Sequence, residues 1–336
     1  MKAVVYNGEK IAIQDVPKPV PTATQALIRL KAAGVCGTDL AIIKGYLPTP
    51  KPLILGHELT GEVVEVGKNV DPKWIGKRVT CEINSNICGK CFYCVRNNPT
   101  QCVTRKALGI DINGGWAEYI AVESYLLHEF PSSLDFGQAT FIEPLAAAYQ
   151  TFETMPLGPD DKIMAIFGMG KLGLLILQVA RVKNLKTIAI DASDAKLQLA
   201  KSLGATYTIN RLDFKDKVPV EIKKLTADLG ADIVVDCSGH PKALVDVVKS
   251  TRTRGKIHMK STHGLATPVN ITDIVVREIT VYSSRCGPFE KAIAGLQSGD
   301  IKVDGLISKV FPLDQIHEAV ASYDESRDHI KTLLTI

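Results

Sequence analysis

No stretch of this 336-residue chain is long and apolar enough to span a bilayer. The N-terminal segment from Met1 to Lys10 mixes charged and apolar residues and lacks the apolar core and cleavage pattern of a secretion signal. A soluble cytoplasmic protein is therefore expected, with no membrane partner. Runs of lysine or arginine are missing as well. The net charge of +4 is spread through a chain that is 23% charged, so no face should track a phosphate backbone, and nucleic acid is not an expected partner. Internal repeats and low-complexity tracts are absent. What is abundant is apolar material: 46% hydrophobic content over about twice the length of an average domain suffices for more than one core, and two domains are expected.

The first third is strand-like and broken by turns. Ala26–Lys31 alternates partly in polarity, Gly61–Gly67 is β-branched between glycines, and Pro17 to Pro21 marks a break, which predicts a β-rich unit. After Leu157–Asp161 the pattern changes to apolar strands alternating with amphipathic helices, the mark of βαβ units and a parallel sheet. Lys162–Phe167, Thr187–Ile190, Asp232–Asp236 and Lys256–Met259 read as strands, and Leu172–Val182 and Ala195–Leu203 as helices, the second ended by Gly204.

Of eight cysteines, four crowd between Cys88 and Cys102, while Cys36, Cys81, Cys237 and Cys286 stand apart. In a reducing compartment such a cluster indicates metal rather than disulfides. Cys88, Cys91, Cys94 and Cys102 offer four thiolates in a loop short enough to close on one tetrahedral ion. Zinc fits the spacing better than an iron–sulfur cluster, whose usual run has its fourth cysteine closer and a proline behind it. With every ligand position filled by protein, this zinc would shape a loop and do no chemistry.

Gly168, Gly170 and Gly173 lie between an apolar strand and a helix, so backbone can approach a pyrophosphate whose charge rests on the helix N-terminus. Lys171 and Leu172, within the turn, are counted with the cofactor residues. Asp191 closes the next strand, where an acid accepts hydrogen bonds from the adenosine ribose and repels the extra phosphate of NADP, so NAD is expected although Lys196 is near. The plainer alternative is that the glycines serve helix-to-sheet packing and Asp191 caps a helix.

Cys36-Gly37-Thr38-Asp39 follows a strand and Gly56-His57-Glu58 precedes another, placing a thiolate, an imidazole and a carboxylate where they could converge. Spacing alone leaves open a buried thiol and an unrelated histidine.

These segments, the four-cysteine lobe, Gly114–Tyr119, Glu143-Pro144-Leu145-Ala146 and the glycine turn occur in the order found in zinc-containing medium-chain dehydrogenases. The chain resembles that family over essentially its whole length, sorbitol and threonine dehydrogenases above all. Phe289–Leu334 is similar to the family's C-terminal return into the catalytic domain. The resemblance implies a GroES-like β-rich catalytic domain (1–150 and 287–336, with the zinc lobe at 81–103) and a doubly wound Rossmann domain (151–286). It implies a catalytic zinc on Cys36 and His57 with Glu58 or Glu143, and Asp39 as the partner that orients His57 unless it merely bonds its own turn. Arg285 matches an arginine that faces substrate and nicotinamide. Trp116 and Tyr119 either line the pocket or belong to the core, and Ile42 and Ile43 suggest an apolar wall.

Two departures stand out. Many relatives carry, five residues after the metal-binding cysteine, a histidine that passes the proton to solvent, and Ala41 occupies that place here. Lys260-Ser261-Thr262-His263 replaces a glycine-rich stretch. The implied activity is hydride transfer between NAD and an alcohol, polyol or sugar, with two zinc ions per chain, Thr38 moving the proton toward the cofactor ribose, and a homodimer or homotetramer as the assembly. The alternatives are a zinc-free quinone or enoyl reductase of the same architecture and a non-catalytic nucleotide-binding protein that retains only its structural zinc.

Overall fold

The computed structural model describes residues 1–262 and 265–336, with Asp216 described by its backbone alone. His263 therefore lies outside the described residues.

The alternation that begins near residue 160 produces a six-stranded sheet. Its strands run in the spatial order Tyr207–Asn210, Lys186–Asp191, Ile163–Phe167, Ala231–Asp236, Thr251–Met259, Thr280–Ser283. Every neighbouring pair is parallel. Numbered along the chain this order is 3-2-1-4-5-6, the doubly wound arrangement, whose ligands sit outside the carboxyl ends where the order reverses. Ile163–Phe167 and Ala231–Asp236 flank that point and are almost wholly buried, as strands between two helix layers must be. Helix Lys171–Val182 explains its own position: Leu174, Leu175, Ile176 and Leu177 all have 0% exposure, so it is apolar on more than one side and needs a second cover besides the sheet. Helix Ile142–Thr154 supplies that cover. Each such fully buried side chain contributes about 1.5–3 kcal/mol.

The first third of the chain forms a larger sheet together with the last. Its path runs Leu127–Glu129, Arg78–Cys81, Glu58–Val66, Gln25–Gly34, Lys331–Thr335, Ile307–Pro312, and Tyr119–Glu123 also pairs with Gln25–Gly34. The C-terminal strand lies antiparallel against Gln25–Gly34, with Leu333 opposite Gly34, so the chain end returns into the sheet built by its beginning. A three-stranded sheet of Ile11–Asp15, Lys2–Tyr6 and Leu53–Ile54 completes this unit. One apolar cluster contains Phe130 and Phe141 as well as Met164, Leu174, Phe289 and Leu333, so the two units share packing at their junction. Among the described residues no helix is long and apolar enough to cross a membrane.

One pairing positions the chemistry. Gly34, at the end of one strand, stands opposite Glu58, at the start of the next. Residues just past Gly34 and just before Glu58 are therefore neighbours in space although they are some twenty positions apart in sequence.

Candidate metal and cofactor sites

Cys36 precedes the short helix Gly37–Ile43. Asp39, inside that helix and without solvent exposure, accepts the Cys36 backbone N–H through Oδ2 at 2.8 Å and that of Gly56 through Oδ1 at 3.3 Å. One carboxylate thus ties both segments together. Its Oδ1 is also 3.5 Å from His57 Nδ1, a buried nitrogen that has no closer partner. Asp39 thus bonds its own turn and also faces the histidine.

Cys36, His57 and Glu58 bring one donor atom each to within 4.8 Å of one another. Burial pulls the His57 imidazole down, but the carboxylate of Asp39 and the thiolate of Cys36 outweigh it and hold the ring well above its ordinary range. Burial likewise pushes Glu58 up, yet the ammonium groups of Lys171 and Lys331 bring its carboxyl down to about 2. For Cys36, burial raises the thiol and the Lys171 ammonium, with help from His57, lowers it below the ordinary value. A soft thiolate, an imidazole and an ionised carboxylate within this span fit a zinc ion. Glu143 stands outside that span, in the first turn of helix Ile142–Thr154. Burial raises its carboxyl, which also feels the charges of His57 and Glu58. The Thr38 hydroxyl lies 3.9 Å from Cys36 Sγ.

Four sulfurs gather in the lobe. Cys91 and Cys94 are 3.5 Å apart, Cys88 and Cys102 3.6 Å, and Cys88 and Cys94 4.0 Å. A tetrahedron with metal–sulfur bonds of about 2.3 Å has edges of about 3.8 Å, so the spacing suits one zinc and is far too long for disulfides. The backbone N–H of Cys88, with the Thr104 hydroxyl, lowers Cys102 to about 5, while burial and the neighbouring thiols push Cys94 up to about 12, so the cluster favours a thiolate at Cys102 and not at every sulfur.

At the glycine turn, Gly168 has φ +94°, and a side-chain carbon on Gly173 would come within 1.9 Å of the Gly168 carbonyl, so packing alone requires glycine there. Gly170 differs: a carbon added to it would meet no protein atom within 4 Å. Glycine at 170 leaves room beside the N-terminus of helix Lys171–Val182, and the turn fits a pyrophosphate. Asp191 accepts the N–H of Met169 at 2.6 Å, of Ala192 at 2.8 Å and of Ser193 at 3.0 Å. Three of its roughly four acceptor positions are thus used, and one is left for a ribose hydroxyl. Leu172 packs against the shared core.

Other sequence candidates face elsewhere. The Arg285 guanidinium bonds the Thr100 carbonyl and, at 3.2 Å, Gln101 Oε1, so it braces the cysteine lobe. Trp116 has 0% exposure and donates its indole N–H to the Gly34 carbonyl at 3.3 Å, which makes it core. Ile42 and Ile43 also pack into core, and Tyr119 lies under the Lys18 ammonium.

Three lysines take places that the sequence does not indicate: Lys331 is not singled out there at all, Lys171 is counted only with the cofactor turn, and Lys260 only as a departure from a glycine-rich stretch. Lys331, with 0% exposure, donates to Glu58 Oε2 and to the Val35 carbonyl at 2.8 Å. Lys171 donates to Glu58 Oε1 and to Cys36 Sγ at 3.5 Å. Lys260 donates to Ser284 Oγ at 2.8 Å, and burial draws its ammonium down to about 8. A lysine in an apolar terminal strand was the one available signal for Lys331.

A doubly wound sheet joined to a β-rich unit that carries both metal-donor clusters is the architecture of metal-dependent, dinucleotide-linked dehydrogenases. The matches agree in detail. Residues 22–132 match the alcohol dehydrogenase GroES-like domain and residues 172–298 the zinc-binding dehydrogenase domain. The chain is 32% identical to sorbitol dehydrogenase of Halalkalibacterium halodurans over 100% of its own length and 99% of that protein. It is 33% identical to L-threonine 3-dehydrogenase of Bacillus velezensis, covering 95% and 94% of the two chains. A short chain alcohol dehydrogenase of Escherichia coli CFT073, solved with NADH, superposes with a TM-score of 0.91 at 26% identity, covering 100% and 99%. The chain belongs to the zinc-containing medium-chain alcohol dehydrogenase family, with a GroES-like catalytic unit and a Rossmann unit.

Proposed function

We propose that this chain is a zinc-dependent, NAD-linked dehydrogenase that moves hydride between the cofactor and a secondary alcohol, with polyols and sugars as its substrate class. The observation that carries this reading is the convergence of Cys36, His57 and Glu58 within 4.8 Å, at a place touched by a side chain of the glycine turn. When bound, zinc polarises a substrate oxygen and the nicotinamide accepts or returns the hydride. Cys36 and His57 would hold the ion, Glu58 is the carboxylate within reach, and Glu143, outside that span, would be left to order a water. Asp39 orients His57. Thr38 Oγ1 takes the substrate hydroxyl's proton toward the cofactor ribose, and Ala41 offers no group to continue a path through its position. The second zinc belongs to Cys88, Cys91, Cys94 and Cys102.

Asp191 supports NAD over NADP, because a carboxylate at the end of strand Lys186–Asp191 repels a ribose phosphate. We read the two units as residues 1–150 with 287–336 and 151–286, since the last parallel strand ends at Ser283 and the segment after it leads back to the first sheet. Eight cysteines, none of them in a disulfide, favour a reducing cytoplasm. A homo-oligomer belongs to the same reading: strand Thr280–Ser283 is an open edge, and Val281, Ile271, Val275 and Val276 expose an apolar surface beside it that a second copy would cover.

The test is a panel of polyols, sugars, threonine and simple secondary alcohols, scored by NADH absorbance with and without chelator. Turnover that chelator abolishes is expected. Cys36→Ser should lose turnover while retaining NADH binding and fold, and full activity in that variant would refute the metal site.

A further inference from the structure

One side chain of the glycine turn is left without a role in this reaction. Lys171 is the first residue of helix Lys171–Val182, so its backbone belongs to the turn that receives a pyrophosphate. Its ammonium belongs to the other site. It lies 3.5 Å from Cys36 Sγ and donates to Glu58 Oε1, with its side chain only 13% exposed. The second oxygen of Glu58 is held by Lys331, which comes from strand Lys331–Thr335 of the first sheet. One carboxylate with no solvent exposure therefore carries an ammonium from each structural unit. Local sequence is arranged for this: a side-chain carbon on Gly34 would come within 2.3 Å of Glu58 Oε2 and 2.4 Å of Lys331 Nζ.

A divalent ion in the cradle draws on the same sulfur and the same carboxylate that hold the Lys171 ammonium, and its charge repels that ammonium. The displaced charge starts beside the helix N-terminus, where a dinucleotide brings its phosphates. We propose that Lys171 is a positioning residue that couples the two sites, so that an ion in the cradle tightens dinucleotide binding and the dinucleotide tightens ion binding. This inference rests on the reading of Cys36, His57 and Glu58 as the catalytic metal cradle. Linkage requires the same factor in both directions.

Cobalt(II) and NADH are the probes. Cobalt affinity is read from the thiolate-to-metal absorption of the cradle, isolated by subtracting the Cys36→Ser spectrum, and NADH affinity from its fluorescence. In the unaltered protein, saturating cobalt should tighten NADH about fivefold or more, and NADH should tighten cobalt equally. Lys171→Met, uncharged and of similar length, should bring the factor close to one while both ligands still bind. Lys171→Arg, which keeps the charge, should preserve the coupling if Lys171→Met fails to fold. Lys331→Met removes the other ammonium from Glu58 and should tighten cobalt binding, yet it should keep the coupling, because that ammonium comes from the first sheet and does not belong to the turn. An unchanged factor in Lys171→Met, or a factor of one in the unaltered protein, overturns the proposal. Failure of cobalt to enter the cradle overturns the metal reading as well, so the two failures are distinguishable.

Discussion

At the scale of single residues, Asp39 does the work of assembly. Its two oxygens accept the N–H groups of Cys36 and Gly56, and the second also faces His57. Asparagine has almost the same shape but only one acceptor oxygen, so Asp39→Asn leaves one of those N–H groups opposite a donor. Loss of a partner to a buried group costs about 1–3 kcal/mol, and loss of a group that orients a metal-binding histidine lowers metal affinity about 10–100-fold. Asp39→Asn should therefore melt earlier and yield cobalt from the cradle to a weaker chelator, while the lobe keeps its metal. An unchanged cradle affinity would show that Asp39 is only a turn residue.

At the scale of elements, the cysteine lobe and the sheet that carries the cradle answer to different forces. The lobe leaves Phe92, Val95 and Val103 exposed at 64%, 63% and 71%, so it has little apolar core to hold it and depends on its four sulfurs. Closure of such a loop by metal is folding free energy. Cys94→Ser should release one zinc per chain and open the 88–102 loop to protease, while the cradle keeps its ion. The sheet should remain folded, because strands Gln25–Gly34 and Glu58–Val66 are held by a ladder and by buried Ile28, Leu30, Leu59 and Val63. Limited proteolysis and metal analysis read both effects; a lobe that stays protected after losing its zinc would contradict this division.

At the scale of the whole molecule, the edge strand Thr280–Ser283 and the helix Ile271–Val276 that precedes it expose Ile271, Val275, Val276 and Val281. An unpaired edge beside apolar side chains invites a copy of itself. The protein should sediment as a dimer or larger assembly, and Val281→Lys, which places a charge on that edge, should shift it toward the monomer without changing its secondary structure. A monomer in the unaltered protein would rule out this face as an interface.

Local signals in the sequence settled what depends on neighbours along the chain. The apolar runs at Ile163–Phe167 and Ala231–Asp236, the glycine turn between strand and helix, and the four-cysteine spacing each carry their physics within a few residues: the runs are strands, the turn leads from strand into helix, and the four sulfurs lie together. Family resemblance added the pairing of Cys36 with His57, which spacing alone left open. Only the tertiary structure decided the directions of side chains that reach across elements. It turned Arg285 toward the lobe and Trp116 into the core, and it set Lys171 and Lys331 on the two oxygens of Glu58. The reason is distance: residues 58, 171 and 331 meet because two sheets dock and the chain end returns into the first, and no local rule of periodicity or capping spans such separations.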